Sequence, residues 1–445
     1  MGGVRVEVQV QEGHELFYDK EKTMDVSFGE EYRKRQKTDT FFTANAIRAD
    51  KRLNQLADII LNEAIEMKAK DIHINQWSKE GIVEFRLGND LVPVRRVHKH
   101  AVDGLIIVLR NRAEVSVENI HALEISGRIT HTFGGKDYDM RVAFMPATNG
   151  QTAVIRILYS SMLNGNIDVL GLPDMVKVEL ERVLKLKEGM VILAGGTGSG
   201  KTTTLYTGIV HIQKSTKGKK KIYAIEDPVE YRVDGVTQIS TDEIRGVTFA
   251  TALKSILRGD PNVILLGEIN DKSTAFTAVR SATTGHLMLT TIHANNTLEV
   301  RNALSQLGAN PLDLGTALKL VLYQTLQDRL CPHCKIPEPI SVDDKRWVDR
   351  QLRVNKEMLL VHRRNPDGCK ECFHKGVKGQ ILLVEMLGAN RAYNRGVEQT
   401  KGDIYKMQDY LLETEGAKYY PLEWDVFKHL EAGNIDMATA YQLID

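Results

Sequence analysis

The chain has 445 residues, enough for two or three domains with cores of their own. Its 59 Lys and Arg balance 58 Asp and Glu to a formal charge of +1, which excludes the overall basic footprint of a chain that wraps nucleic acid. No apolar run approaches the roughly 20 residues of a membrane-spanning helix, and "MGGVRVEVQVQEGHEL" lacks the basic-then-apolar order of a secretory signal, so the chain reads as cytosolic.

Residues 1–46 are polar and mixed in charge, and their one alternating run, "VRVEVQV", fits either a short edge strand or a tail. From Ile47 to Lys68 apolar residues recur at helical spacing (Ile47, Leu53, Leu56, Ile59, Ile60, Ala64). Short strands "DIHINQ", "GIVEFRLG" and "LVPVRRV" follow, then a helix near "AVDGLIIVLRNRAEV". After it come hairpins turning at Gly134-Gly135 and Asn149-Gly150. This is a small α+β domain over 47–160. Residues 161–172, rich in Gly and Asn without periodicity, read as a linker.

From 173 to 445 the pattern changes. Strands "GMVILAG", "KIYAIED", "NVILLGEI" and "LMLTTIH" alternate with helices "TTTLYTGIVHIQ", "FATALKSILRG" and "KSTAFTAVRSATTG". That rhythm calls for a parallel sheet covered on both faces. A cysteine-bearing insertion over about 329–390 interrupts it, and helices close the chain over 391–445, "DIYKMQDYLLETEG" being the clearest.

The segment "AGGTGSGKTTTLY" is poor in packing atoms, yet follows a buried strand and opens a helix. It matches G-x-x-x-x-G-K-[ST] at Gly195, Gly200, Lys201 and Thr202. In such a loop successive N–H groups, here of Gly195, Thr197, Gly198, Ser199, Gly200 and Thr203 besides the motif's Lys and Thr, point at phosphate oxygens. Lys201 would reach the β- and γ-phosphates, Thr202 would bind Mg²⁺, and the helix adds its positive end. The segment therefore reads as a nucleotide site, with ATP as the ligand.

"VILLGE" ends an apolar strand in Glu268, placed either to polarise a water or to act on Mg²⁺ through water. The plain alternative is a surface carboxylate capping the next element. "AIEDPVEY" puts Glu226, Asp227 and Glu230 at another strand end, where Glu226 faces the metal or all three form a solvated turn. His286 and His293 bracket "LMLTTI" and are either γ-phosphate sensors or ordinary packed histidines. Two pairs, Cys331/Cys334 and Cys369/Cys372, lie about 34 residues apart. Four thiolates satisfy tetrahedral Zn²⁺, whereas a redox site needs one such pair. Five lysines between Lys214 and Lys221 read as a solvated loop or, less simply, an anionic contact.

Taken in order, "GGTGSGKTTTLY", "AIEDPVEY", "ILRGDPNVILLGEI", "TTGHLMLTTIHAN" and "DRLCPHCK…GCKEC" resemble the secretion ATPase superfamily of type II secretion and type IV pilus assembly. The likeness extends upstream through "AKDIHI", "SGRI", "YDMRVAFMP" and "TAVIRIL", covering roughly residues 50–390. It implies an α/β fold in which a RecA-like P-loop ATPase domain follows a smaller PAS-like α+β domain and carries a zinc-binding insertion. It implies a homo-hexameric ATPase, cytoplasmic and peripheral at the inner membrane. Such a motor drives pilin or pseudopilin assembly through a polytopic platform protein and a cytoplasmic recruitment protein.

By the same resemblance Glu268 is the catalytic glutamate, Glu226 and Glu230 form the acidic box, and His286 and His293 form the histidine box. Arg128, Arg141 and Arg156 then reach the nucleotide across an interface; unaided, they read as strand-face arginines in salt bridges. The cysteine module resembles assembly motors rather than retraction motors. Two departures stand out. Asn270 occupies the place of the family's usual arginine in Gly-Glu-Ile-Arg-Asp, and too few residues precede "AKDIHI" for the usual large N-terminal domain. Either recruitment differs, or the sequence is a piece of a longer chain. The competing function is a RecA-like nucleic-acid translocase, but the neutral charge and 6% aromatic content argue against a basic, aromatic-bearing pore, so no nucleic-acid partner is expected.

Overall fold

The computed structural model describes residues 51–78, 80–88, 90–115, 125–159, 165–243, 245–353, 360–372 and 374–444. The "VRVEVQV" run, Ile47 and residues 161–164 of the expected linker lie outside them. The chain divides into two compact units, 1–160 and 161–445.

In the first unit the helical spacing becomes α1 (Lys51–Glu66), which buries Leu53, Leu56, Ala57, Ile60, Leu61, Ala64 and Ile65 on one face. Strands β1 (Asp71–Gln76), β2 (Glu80–Leu87) and β3 (Asp90–His98) precede α2 (Lys99–Arg112), and β4 (Ile125–Phe133), β5 (Lys136–Ala147) and β6 (Gly150–Leu158) follow. They form one antiparallel sheet in the order β3-β2-β1-β6-β5-β4. Ile72, Ile74, Ile129, Met140, Val142, Ile155 and Ile157 join the two helices in one core. The period-two alternation then assigns their neighbours to the opposite face. The turn expected at Gly134-Gly135 is found there, both residues having positive φ. The next falls at Thr148-Asn149, one residue earlier than expected, because Gly150 already pairs with Ala147.

The second unit opens with a 3₁₀ turn, Ile167–Leu170, and α3 (Asp174–Val183). The described part of the expected linker is not a loose tether. Ile167 is buried, and the Gly165 carbonyl accepts from His211. Then come β7 (Gly189–Ala194), α4 (Lys201–Ser215), β8 (Ile222–Glu226), β9 (Val236–Ser240), α5 (Phe249–Ile256), β10 (Val263–Leu266), α6 (Lys272–Ala282), β11 (Leu287–Ile292), α7 (Glu299–Gln306), α8 (Pro311–Ala317) and β12 (Leu318–Leu330). Beyond them lie β13 (Ile336–Pro339), α9 (Val342–Leu352), β14 (Leu360–Arg363), β15 (Val377–Gly388), α10 (Arg391–Thr400), α11 (Ile404–Glu413), β16 (Lys418–Tyr420), α12 (Leu422–Glu431) and α13 (Met437–Ile444).

Eight strands form one sheet in the order β16-β15-β12-β7-β11-β10-β8-β9. The expected parallel sheet is present from β9 to β12, but β15 runs antiparallel to β12 and β16 antiparallel to β15. The cysteine segment therefore does not close the sheet; the chain returns from it to lay β15 beside β12. Both faces are covered. Met190, Ile192 and Ala194 of β7 pack with α5 to α8, while Val191 and Leu193 pack with α3 and α4. A separate small core holds Trp347, Val361, Leu383 and Phe427. Among the described residues no helix is long and apolar enough to cross a membrane.

Candidate functional site

The phosphate-loop segment lies where β7 ends and α4 begins. Gly195 has φ 139°, and a Cβ there would meet the Gln324 carbonyl at 2.3 Å, so backbone closeness excludes any larger residue. Lys201, Thr202 and Thr203 open α4 after Gly200, and no side chain caps that end. Its first N–H groups and positive dipole end are thus left for an anion. The Ser199 hydroxyl, packed inside the loop against Gly195, is buried without a hydrogen-bond partner. Thr197 and Gly198 form the exposed tip. Lys201 donates to the carbonyls of Gly195 and Gly196, each at 2.7 Å. Burial holds its pKa below the usual lysine value, against the opposing pull of the Glu268 charge. From the core side, Gln324 of β12 donates to Thr204 of α4 at 2.9 Å and fixes the helix against the sheet.

Parallel pairing brings the other loops to the same edge. Gly267 follows β10 and donates to the Ile225 carbonyl of β8 at 2.8 Å, while Thr291 Oγ1 of β11 donates to the Gly267 carbonyl at 2.7 Å. Ile269 is buried and Asp271 caps α6 by accepting from Ser273 and Thr274. Glu268 is therefore held from both sides. Its Oε1 accepts from Asn270 Nδ2 at 2.8 Å, and its Oε2 lies 4.0 Å from His293 Nε2. Asn270, where the family's arginine is usual, is thus a direct partner of the candidate catalytic carboxylate. A pocket of about 230 Å³ lies between Gly195-Gly196 and His293-Ala294-Asn295, with Glu299 and Ala303 of α7 behind.

The remaining residues divide. Glu226 sits buried at the end of β8, where its carboxylate accepts from Tyr206 of α4, from Gln238 of β9 and from the Glu230 backbone N–H. Burial pushes its pKa up. Nothing in "AIEDPVEY" signals Tyr206 or Gln238, since the partners lie 20 and 12 residues away. The two histidines do not come together. β11 pairs with β7 from Leu287↔Gly189 to Ile292↔Ala194, so His286 lies at the far end of the strand from the phosphate loop. At 3.3 Å per residue that is roughly 20 Å. His286 Nδ1 meets the Ser281 carbonyl at 3.0 Å instead. Within one chain only His293 of the pair stands at the phosphate edge.

The three arginines of the first unit share one line. Arg128 pairs with Arg141, Arg141 with Arg156, Arg156 with Asp71 and Asp71 with Arg86, directly across five strands. All lie on the face away from the core. Arg156 Nε donates to Asp71 at 2.7 Å, as the salt-bridge reading expects.

The cysteine pairs converge. Cys331 and Cys369 sulfurs are 3.8 Å apart, Cys334 and Cys372 3.8 Å, and Cys369 and Cys372 3.7 Å. A disulfide needs about 2.05 Å. Four sulfurs about 2.3 Å from a tetrahedral ion would stand about 3.8 Å from one another, so the four are positioned for a metal. Backbone N–H groups of Cys369 and Gly376 each donate to the Cys372 sulfur at 3.2 Å, which favours its thiolate form.

A glycine-rich turn between a buried parallel strand and an uncapped helix, with a carboxylate beside it, defines a protein of the P-loop nucleotide-binding class. The family model described as "Type II/IV secretion system protein" matches residues 47–420, and the chain belongs to that family. Type II secretion system protein E of Klebsiella pneumoniae is 32% identical over 354 residues, covering 80% of this chain and 69% of that one. The type IV pilus assembly ATPase PilB of Myxococcus xanthus is 33% identical over 335 residues, covering 75% of this chain and 58% of that one. Among solved structures, the Legionella pneumophila ATPase DotB aligns with a TM-score of 0.63 at 19% identity, over 87% of this chain and 95% of the other. The pilus retraction motor PilT with bound ADP aligns with a TM-score of 0.60 at 23% identity, over 87% and 96%. These structural likenesses speak to the fold. The sequence relatives are secretion and pilus proteins and give the nucleic-acid-translocase reading no support.

Proposed function

We propose that the chain is a Mg²⁺-dependent ATPase motor that assembles a type IV pilus or a type II secretion pseudopilus. The observation that carries this reading is the meeting of the Gly195–Thr203 loop, Glu268 and His293 at one edge of the parallel sheet, in a chain of this family. In the proposed reaction the γ-phosphate takes Lys201 from the Gly195 and Gly196 carbonyls. Glu268, steadied by Asn270, accepts a proton from the attacking water, and His293 answers the loss of the γ-phosphate. Thr202 would hold Mg²⁺, which screens phosphate charge. Glu226, with Glu230, supports the base of the site through Tyr206 of the phosphate-loop helix.

The finer proposals follow from the family resemblance. The second unit is a RecA-like motor domain over 173–445, the first a PAS-like domain, and six chains form a ring. Arg128, Arg141 and Arg156 serve the phosphates when one domain closes on the other with residues 164–172 as the hinge, and His286 acts across a subunit boundary. The cysteines hold Zn²⁺ as a structural staple. An inner-membrane platform protein and a cytoplasmic recruitment protein take up the work, with the chain peripheral at the inner membrane.

The test is ATP turnover of the wild type and Glu268→Gln, each with and without single-stranded DNA. Turnover that needs Glu268 and ignores DNA supports the motor; turnover at a normal rate in Glu268→Gln removes Glu268 from its role, and strong DNA stimulation returns the translocase.

A further inference from the structure

The loop that carries His293 is tied at its far end to a carboxylate 88 residues away. Thr297 is buried at 1% exposure; its N–H donates to Glu385 Oε2 at 3.0 Å and its hydroxyl to Glu385 Oε1 at 2.7 Å. The Tyr419 hydroxyl of β16 donates to the same Oε1 at 2.9 Å. Glu385 lies in the middle of β15, 3% exposed, opposite Tyr323 of β12.

A buried carboxylate is costly unless its lone pairs are filled, and hydrophobic strand positions are the ordinary solution. Here three donors converge on two oxygens, and a carboxyl group supplies an accepting oxygen at each position. A glutamine would offer one accepting oxygen and turn its amide toward a donor. The chemistry therefore selects a group that grips one backbone N–H and one hydroxyl of a single loop residue. That residue stands four positions after His293. Between them, the Asn295 N–H donates to the Glu299 carboxylate at 3.1 Å, and the Asn296 side-chain oxygen accepts from the Glu299 N–H at 2.8 Å. The segment from His293 to Glu299 is thus pinned at its base by Glu385 and closed on itself by Glu299, leaving His293 4.0 Å from Glu268 and beside Gly195-Gly196.

We infer that Glu385 is a positioning residue for the nucleotide reaction: through Thr297 it holds the His293–Asn296 loop at the phosphate edge, and it ties that loop to the strand leaving the four-cysteine centre. The link to the centre is short on the chain. β15 begins at Val377, one residue after Gly376, whose N–H donates to the Cys372 sulfur and whose carbonyl accepts from Cys331 N–H. The inference rests on the ATPase reading above.

The experiment compares steady-state ATP turnover, fluorescent-nucleotide binding and amide exchange in the 445-residue wild type, Glu385→Gln, Thr297→Val and Thr297→Ser. Expected are a tenfold or greater fall in kcat for Glu385→Gln, nucleotide affinity within about threefold of wild type, and faster exchange confined to 293–299. Thr297→Val should fall partway, and Thr297→Ser, which keeps both donors, should match the wild type. Glu385→Gln that turns over normally overturns the inference while leaving Glu268 in place. Equal loss of kcat in Thr297→Ser and Thr297→Val also overturns it, because the hydroxyl would then be irrelevant. A wild type that hydrolyses no ATP overturns the ATPase reading itself, and the inference with it.

Discussion

His293 Nε2 and Glu268 Oε2 face each other at 4.0 Å across the loops that follow β11 and β10, and both side chains remain open to solvent at 66% and 36% exposure. A positioned base of this kind contributes about 10²–10⁴-fold to a rate. Glu268→Gln should lower kcat by at least about 100-fold with nucleotide binding retained. His293→Ala removes a polar contact rather than the base, so it should lower kcat by about 10-fold, on the scale of one charge-assisted hydrogen bond. Asn270→Ala frees Glu268 Oε1 and should behave like His293→Ala. Stopped-flow phosphate release measures all three.

Lys201 is half-buried and its Nζ meets two backbone carbonyls of its own loop. Lys201→Ala should weaken binding of a fluorescent ATP analogue by about 10–100-fold, as expected for one lost charge-assisted contact. Stability should change little, because the carbonyls it leaves can turn to water. Equal affinity in wild type and variant would remove Lys201 from the phosphate site.

The phosphate loop was legible in sequence because its chemistry is backbone chemistry, and glycine is the residue that permits it. The flush apolar runs of β7, β10 and β11 were legible for a related reason: strands buried on both faces show no alternation. What stayed hidden depends on pairings far apart in the chain. β12 continues its apolar half, "LKLVLY", into the polar "QTLQDR", which blurs its period, and β15 lies inside the segment that the cysteines mark as a small module. Glu385 and Thr297 carry no local sign of each other across 88 residues. His286 is grouped with His293 by the family resemblance, whereas the strand between them carries its two ends apart.

The arginine line offers a test of another kind. Arg156 is 62% exposed on its ion pair with Asp71, so Arg156→Ala should change stability by less than about 1 kcal/mol. Asp71 keeps Arg86 at 3.9 Å. If the line serves nucleotide phosphates, Arg141→Ala and Arg156→Ala should lower kcat by about 10-fold or more while melting temperatures stay near the wild type. Unchanged kcat in both would return the line to a purely structural role.

Removing the metal should act through the small core around Trp347. The cysteine centre holds the start of β15, and Leu383 of that strand packs with Trp347 and Phe427. Wild-type protein should contain one zinc per chain by atomic absorption. Chelation, or Cys372→Ser, should lower the melting temperature and shift Trp347 emission to the red; Trp347→Phe should abolish the shift. A metal-free protein with the wild-type melting temperature would show that the four thiols need no ion.

Burial raises the Glu385 carboxyl from its ordinary value to about 7, with the hydrogen bonds from Thr297 and Tyr419 opposing and the charge of Glu423 reinforcing. Tyr323, opposite Glu385 in the strand pair, feels the charges of both Glu385 and Glu299. Between about pH 4.5 and 7 the unfolded chain has released this proton while the native chain keeps it. Stability from this group is therefore full in acid, falls as pH rises to about 7, and is flat beyond. At about 1.4 kcal/mol per unit the span is on the order of 3 kcal/mol. Asp425, raised by burial to about 6, acts in the same direction. His429, lowered by burial to about 4, acts oppositely, since its neutral ring resists the proton that the unfolded chain takes up below pH 6.5. The difference between wild type and Glu385→Gln isolates the one group. Urea unfolding at steps from pH 5 to 8 should show the wild type losing stability relative to the variant until about pH 7, with parallel curves above it. Curves parallel throughout would mean that Glu385 stays ionised across the range.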